Sequence, residues 1–136
     1  MMAARRAHRL AGVVAALWLA AGAAPSVAAR DPDRAGQADS EIRALVSALG
    51  ESGCRFQRNG RWHDAGAARD HLQRKYDHAR RRGLDGTAED FIERAGSRSS
   101  ITGRPYKVAC PGQPERAVGE WLRERLARLR GDAGQR

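Results

Sequence analysis

The sequence predicts an α+β fold: about four helices packed on a small three-stranded antiparallel sheet, in the order α-ββ-α-α-β-α, tied by one disulfide. Three observations carry that expectation. Asn59-Gly60 lies between short runs containing Phe56 and Trp62, and Asn-Gly is a strong hairpin signal because both residues tolerate the positive φ of a tight turn. Ile42, Leu45, Val46 and Leu49 recur at i, i+3, i+4 and i+7, the stripe of an amphipathic helix, and similar stripes follow later in the chain. Cys54 and Cys110 are the two cysteines, and in an exported chain such a pair reads as one structural bridge.

Export is read from the first residues. Arg5, Arg6, His8 and Arg9 precede an apolar run from Leu10 to Ala24, and Ser26-Val27-Ala28-Ala29 supplies the small residues a signal peptidase needs. The run is about 15 residues, short of the ~20 that span a bilayer, so residues 1–29 are expected to be a cleaved signal peptide rather than a membrane anchor, cut after Ala28 or Ala29. Residues 30–39 carry Pro and Gly without apolar periodicity and are expected to be a disordered leader. Residues 40–131 form a single globular domain, and 132–136 a flexible tail. Arg5, Arg6 and Arg9 leave with the signal, taking the formal charge from +9 to +6.

Within the domain, Asp39 or Ser40 caps the first helix and Gly50 or Gly53 ends it. The hairpin admits two registers. A two-residue Asn59-Gly60 turn pairs Phe56 with His63 and turns Trp62 outward; a three-residue Arg58-Asn59-Gly60 loop pairs Phe56 with Trp62 on the face of Cys54. Burying both aromatics is worth a few kcal/mol, so the three-residue loop is expected. Asp64 caps a second helix reaching about Arg82, with Ala65, Ala68, Leu72, Tyr76 and Ala79 inward and Asp70–Arg74 and Asp77–Arg81 pairs outward. Thr87 with Asp90 forms a capping box for a short third helix carrying Phe91 and Ile92. Tyr106-Lys107-Val108-Ala109-Cys110 alternates as a third strand, and Val118, Trp121, Leu122, Leu126 and Leu129 mark a last helix ended by Gly131.

No reaction centre is evident. His71 and His78 lie seven residues apart on one helix, about 10 Å along its axis, too far to share one ion, and there is no His-Glu-x-x-His; no metal or other cofactor is expected. Glu89 and Asp90 are adjacent on a helix and point about 100° apart, which is not the facing pair of a glycosidase. Ser99 or Ser100 with His71 as base would make a small hydrolase acting on envelope polymers, but the Gly-x-Ser-x-Gly elbow is missing. Arg55, Arg58 and Arg61 give the hairpin a basic character, yet inward aromatics and an exported location argue against a nucleic-acid partner. More promising is an anion site at which the Arg58-Asn59-Gly60 turn and the Ser97–Gly103 loop meet beside the second helix. Its candidate ligand-binding residues are Arg58, Asn59, His71, Lys75, Arg98, Ser99 and Ser100.

Cys54-x-Phe56-x-Arg58-Asn59-Gly60, His71-Leu72-x-x-Lys75, Ala88-Glu89-Asp90-Phe91-Ile92, Ser99-Ser100-x-x-Gly103-x-Pro105-Tyr106 and Trp121-Leu122 together resemble the YfeK-like family of small exported bacterial proteins, grouped as a domain of unknown function. The resemblance spans about Glu41 to Arg130, with Thr102-Gly103 standing where the family has Ser-Gly. It implies a periplasmic protein without established activity and supplies no catalytic residues. The expectation is a non-enzymatic binding or accessory protein of the cell envelope. Its partner would be an anionic envelope component or another periplasmic protein, and no membrane anchor would remain after cleavage.

Overall fold

The computed structural model describes residues 31–136, and the expected signal peptide lies outside the described residues. Asp31 and Pro32 start the first helix, α1 (Pro32–Gly50), with the Asp31 carboxylate accepting from the backbone N–H of Asp33 at 3.1 Å and Pro32 in the first turn. Proline is favoured there because its missing N–H would have no helical partner. Residues 32–39 are therefore helical rather than a disordered leader. Their lack of apolar periodicity has a simple cause: the first turns are exposed, and Ala38 is the first side chain to reach the core. From there Ile42, Leu45, Val46 and Leu49 are buried as the spacing predicts.

The hairpin consists of β1 (Arg55–Arg58) and β2 (Arg61–His63) joined by the two-residue turn Asn59-Gly60. Phe56 faces His63 and Gln57 faces Trp62, so the expected three-residue loop is corrected. Both turn residues take positive φ, 49° at Asn59 and 79° at Gly60, the backbone whose twist matches that of paired strands. Trp62 is thereby turned to the outer face of the sheet. There it is half-buried, with the Arg55 guanidinium 5.2 Å from its ring centroid. That cation–π contact and the partial burial of the ring reduce the penalty of leaving Trp62 on the open face.

β3 (Lys107–Ala109) pairs antiparallel with β1, placing Val108 opposite Phe56 on the inner face beside Tyr106 and Cys54. Cys54 and Cys110 are bonded to each other. A fourth strand, β4 (Arg116–Ala117), joins β3, giving the order β2-β1-β3-β4 where three strands were expected. The Pro111–Pro114 segment turns the chain back on itself: the Gln113 N–H donates to Cys110 O at 3.1 Å, and Gly112 takes φ 71°.

Asp64 caps α2 (Ala65–Arg81) by accepting from Ala67 N at 2.7 Å. Leu72 and Tyr76 are buried on its inner side. The outer pairs differ from expectation, with Asp70 bonded to neighbouring Arg69 and Asp77 accepting from Gln73, each at 2.9 Å. Exposed helical charges exchange such partners at little cost. The predicted capping box of Thr87 and Asp90 opens α3 (Ala88–Phe91), which continues into a π-helical turn, Ile92–Gly96. Gly96 is required by close approach, since a Cβ there would lie 2.8 Å from Leu122 Cδ1.

That leucine belongs to α4 (Val118–Gly134), which passes Gly131 and so takes in most of the expected tail. Arg130 bonds both Glu41 and Glu89, linking α4 to α1 and α3. The helices cover the inner face of the sheet around a core that includes Leu45, Leu49, Phe56, Ile92, Val108 and Leu122. The protein is α+β: four helices, a small antiparallel sheet and one disulfide. No helix among the described residues is long and apolar enough to cross a membrane.

Candidate functional site

Beside the buried Leu72–Tyr76 stripe of α2 runs a second i, i+4 pair, His71 and Lys75, half-buried and directed at the hairpin and the loop before β3. The disulfide and the β1–β3 pairing bring the Asn59-Gly60 turn to the same end of the sheet as the Ser97–Gly103 loop. The two segments touch. Thr102 Oγ1 donates to Asn59 Oδ1 at 2.7 Å, and Asn59 Nδ2 lies 3.5 Å from Ser99 Oγ.

Four side chains then form one chain of hydrogen bonds. Arg58 Nη1 lies 2.6 Å from His71 Nδ1, His71 Nε2 lies 3.2 Å from the Tyr106 hydroxyl, and Lys75 Nζ lies 3.3 Å from the same oxygen. A guanidinium can only donate, so His71 accepts at Nδ1, carries its proton on Nε2 and donates it to Tyr106. Lys75 donates its other two protons to the carbonyls of Ala95, at 2.6 Å, and Arg98, at 3.0 Å. It thus anchors the end of the π-helical turn and the start of the loop. Tyr106 Oη receives two donors, and its own proton has no acceptor among the described residues.

The electrostatics follow from this crowding of cations. Burial first, then Arg58, Lys75 and Arg74, press the His71 imidazole from 6.5 down to about 4, so it is neutral at physiological pH. Lys75 is lowered to about 8 by burial and then by Arg58, and still carries its charge at pH 7. Burial raises the Tyr106 phenol, keeping it a donor. Neither Arg58 nor Lys75 forms an ion pair with a carboxylate among the described residues, whereas Arg43, Arg80, Arg98, Arg116, Arg123 and Arg130 all do. The result is a half-buried pair of cations with a hydroxyl proton and most of a guanidinium fork left to donate, the inventory that accepts an anion.

These side chains open on a cleft of about 400 Å³ that is lined by Arg58, Asn59, His71, Lys75, Ser99 and Ser100 of the sequence-predicted set, together with Tyr106 and Ile101. Arg98 is the exception: its guanidinium turns away to Glu93 at 2.9 Å, and only its carbonyl joins the network. Ser99 is buried, and its Oγ accepts from the N–H groups of Ile101 and Thr102, both at 3.3 Å, holding the loop in shape. Neither serine hydroxyl is bonded to His71 among the described residues, and both ring nitrogens of His71 are engaged elsewhere. The sequence places Tyr106 on the third strand and in the Gly103-x-Pro105-Tyr106 part of the family resemblance, and neither assigns its hydroxyl a role. Among the described residues no group of three or more His, Cys, Asp or Glu side chains is placed to hold a metal ion.

A family model described as a family of unknown function, DUF5329, matches residues 36–130, which contain all of these side chains. The chain belongs to the DUF5329 family. It is also 42% identical over 69 residues to the uncharacterized protein YfeK of Salmonella typhimurium, a match that covers 50% of this chain and 56% of that protein. The chain thus spans about half the length of this relative. No solved structure matches the chain.

Proposed function

We propose that this DUF5329 protein is an exported, non-enzymatic binding or accessory protein of the cell envelope that captures anionic groups at Arg58, Tyr106 and Lys75. The observation that carries the reading is the Arg58–His71–Tyr106–Lys75 network, in which two half-buried cations have no carboxylate to balance them. An uncompensated charge at such a depth is costly unless a ligand completes it. A binding role is favoured over hydrolysis because both nitrogens of His71 are engaged, the cations around it make it a weak proton acceptor, and it is not bonded to Ser99 or Ser100 among the described residues. Export is supported by the basic-then-apolar residues before Ala29 and by the Cys54–Cys110 bond. Ile101, 94% exposed at the rim of the cleft, would give the captured material an apolar contact.

The test compares wild type, Arg58→Ala and Arg98→Ala for binding of the mature protein to anionic envelope fractions at low and physiological salt. Arg58→Ala is expected to lose binding by tenfold or more, because charge-assisted pairs in partly buried sites are worth about 1.5–3 kcal/mol. Arg98→Ala is expected to bind as wild type, since its guanidinium faces Glu93. Equal binding by all three proteins overturns the reading.

A further inference from the structure

We propose that the anion site is the mouth of a two-part pocket whose ligand is a monocarboxylate bearing one apolar group about the size of a benzene ring. The proposal rests on the anion-binding reading above and adds the ligand class. Behind the Arg58–His71–Tyr106 chain lies a second hollow of about 130 Å³, walled by Leu49, Phe56, Ala68, Leu72 and Val118. It shares Arg58, His63, His71 and Tyr106 with the outer cleft, so the charged mouth and the apolar recess meet at the same four side chains.

The recess exists because α2 presents small residues, Ala67 and Ala68, where a leucine would fill the space. A core this small gains stability by closing such a hollow, and its retention against the buried Leu49 and Val118 points to an occupant. An apolar cavity of roughly 150 Å³ takes up benzene, so about 130 Å³ suits a phenyl or branched four-carbon group. At the shared wall His63 Nε2 is buried without a hydrogen-bond partner among the described residues.

The head group is taken to be a carboxylate because one cation, Arg58, still has donors to offer it directly. All three Lys75 protons are already donated, to Ala95 O, Arg98 O and Tyr106 Oη. Arg58 spends one nitrogen on His71 and keeps the rest of its planar fork, which matches a carboxylate. The unused Tyr106 proton supplies one more donor. A dianionic phosphate would demand a second cation with N–H donors to spare, and Lys75, though charged, has none left.

Calorimetric titration of the purified protein with phenylacetate, acetate, benzyl alcohol and phenylphosphate tests this. Phenylacetate is expected to bind about tenfold to a hundredfold tighter than acetate, the gain from burying one ring. Ala68→Leu should erase that advantage and leave acetate affinity unchanged; Arg58→Gln should weaken phenylacetate and acetate alike while sparing benzyl alcohol. Should Ala68→Leu not fold, nuclear Overhauser contacts from the phenylacetate ring to the Leu72 and Val118 methyls in wild type carry the same information. Equal affinity for phenylacetate and acetate, or absent ring contacts, overturns the two-part pocket and leaves the anion site standing. Acetate binding that ignores Arg58→Gln overturns the anion site itself. Phenylphosphate binding as tightly as phenylacetate overturns the singly charged head group.

Discussion

Cys54→Ala combined with Cys110→Ala lowers the unfolding free energy by about 4 kcal/mol, the value the chain-entropy model gives for releasing a loop closed across 56 residues. The effect is large because a domain of this size has only about 5–15 kcal/mol to lose. The bond joins the residue before β1 to the residue after β3, so without it the pairing of those strands must be found across the whole of α2 and α3. Denaturant titration of the oxidised protein against the double variant checks the magnitude, and an unchanged midpoint would contradict it. In the native protein both thiols should resist alkylation until reduced.

Phe56→Ala costs about 3–5 kcal/mol, the range for removing a buried aromatic. Phe56 is 5% exposed, meets the Trp121 ring edge-on at 5.9 Å and stands opposite Val108 at the centre of the sheet. It also walls the apolar recess, so its loss enlarges an existing hollow instead of letting neighbours close a new one. Trp62→Ala, by contrast, costs about 1 kcal/mol or less, because that ring lies on the outer face under Arg55. The two variants together read out the register: similar costs would mean that both rings face the core.

The elements were legible where apolar spacing or a cap announced them. The α1 stripe, the Asp64 and Thr87 caps and the alternating third strand around Val108 all reappear in the structure. The hairpin register was misread by ranking burial of Trp62 above the local turn signal, when Asn59-Gly60 already specified two residues of positive φ. The helical start at Pro32 was masked because an exposed helix has no pattern to display, although Asp31-Pro32 is a cap followed by a first-turn proline. β4 is only two residues, Arg116 and Ala117, behind a proline-bounded turn, and only its pairing with β3 makes it a strand.

At the candidate site, the meeting of the Asn59 turn with the Ser99 loop could be argued from the strands that must pack near Cys54. The roles within it could not. Sequence proximity grouped Arg98 with Ser99, but the Arg98 side chain leaves for Glu93, and Tyr106, to which the sequence assigned no binding role, places its hydroxyl between His71 and Lys75.

The central claim is that Arg58, Lys75 and Tyr106 hold a half-buried positive field poised for an anion, and His71 lies inside that field as its reporter. NMR titration of the His71 imidazole tests it directly. The account predicts titration near pH 4 in the free protein, below the ordinary 6.5, because burial and the neighbouring cations disfavour the imidazolium. Between those values the unfolded chain binds a proton that folded His71 refuses, so His71 adds to stability as pH rises through this window and subtracts as pH falls. Saturating methanesulfonate, which stays ionised throughout, should move the titration upward by placing a negative charge beside the ring, and Arg58→Gln should raise it without the anion. A His71 that titrates near 6.5 in the free protein and responds to neither change would contradict the account.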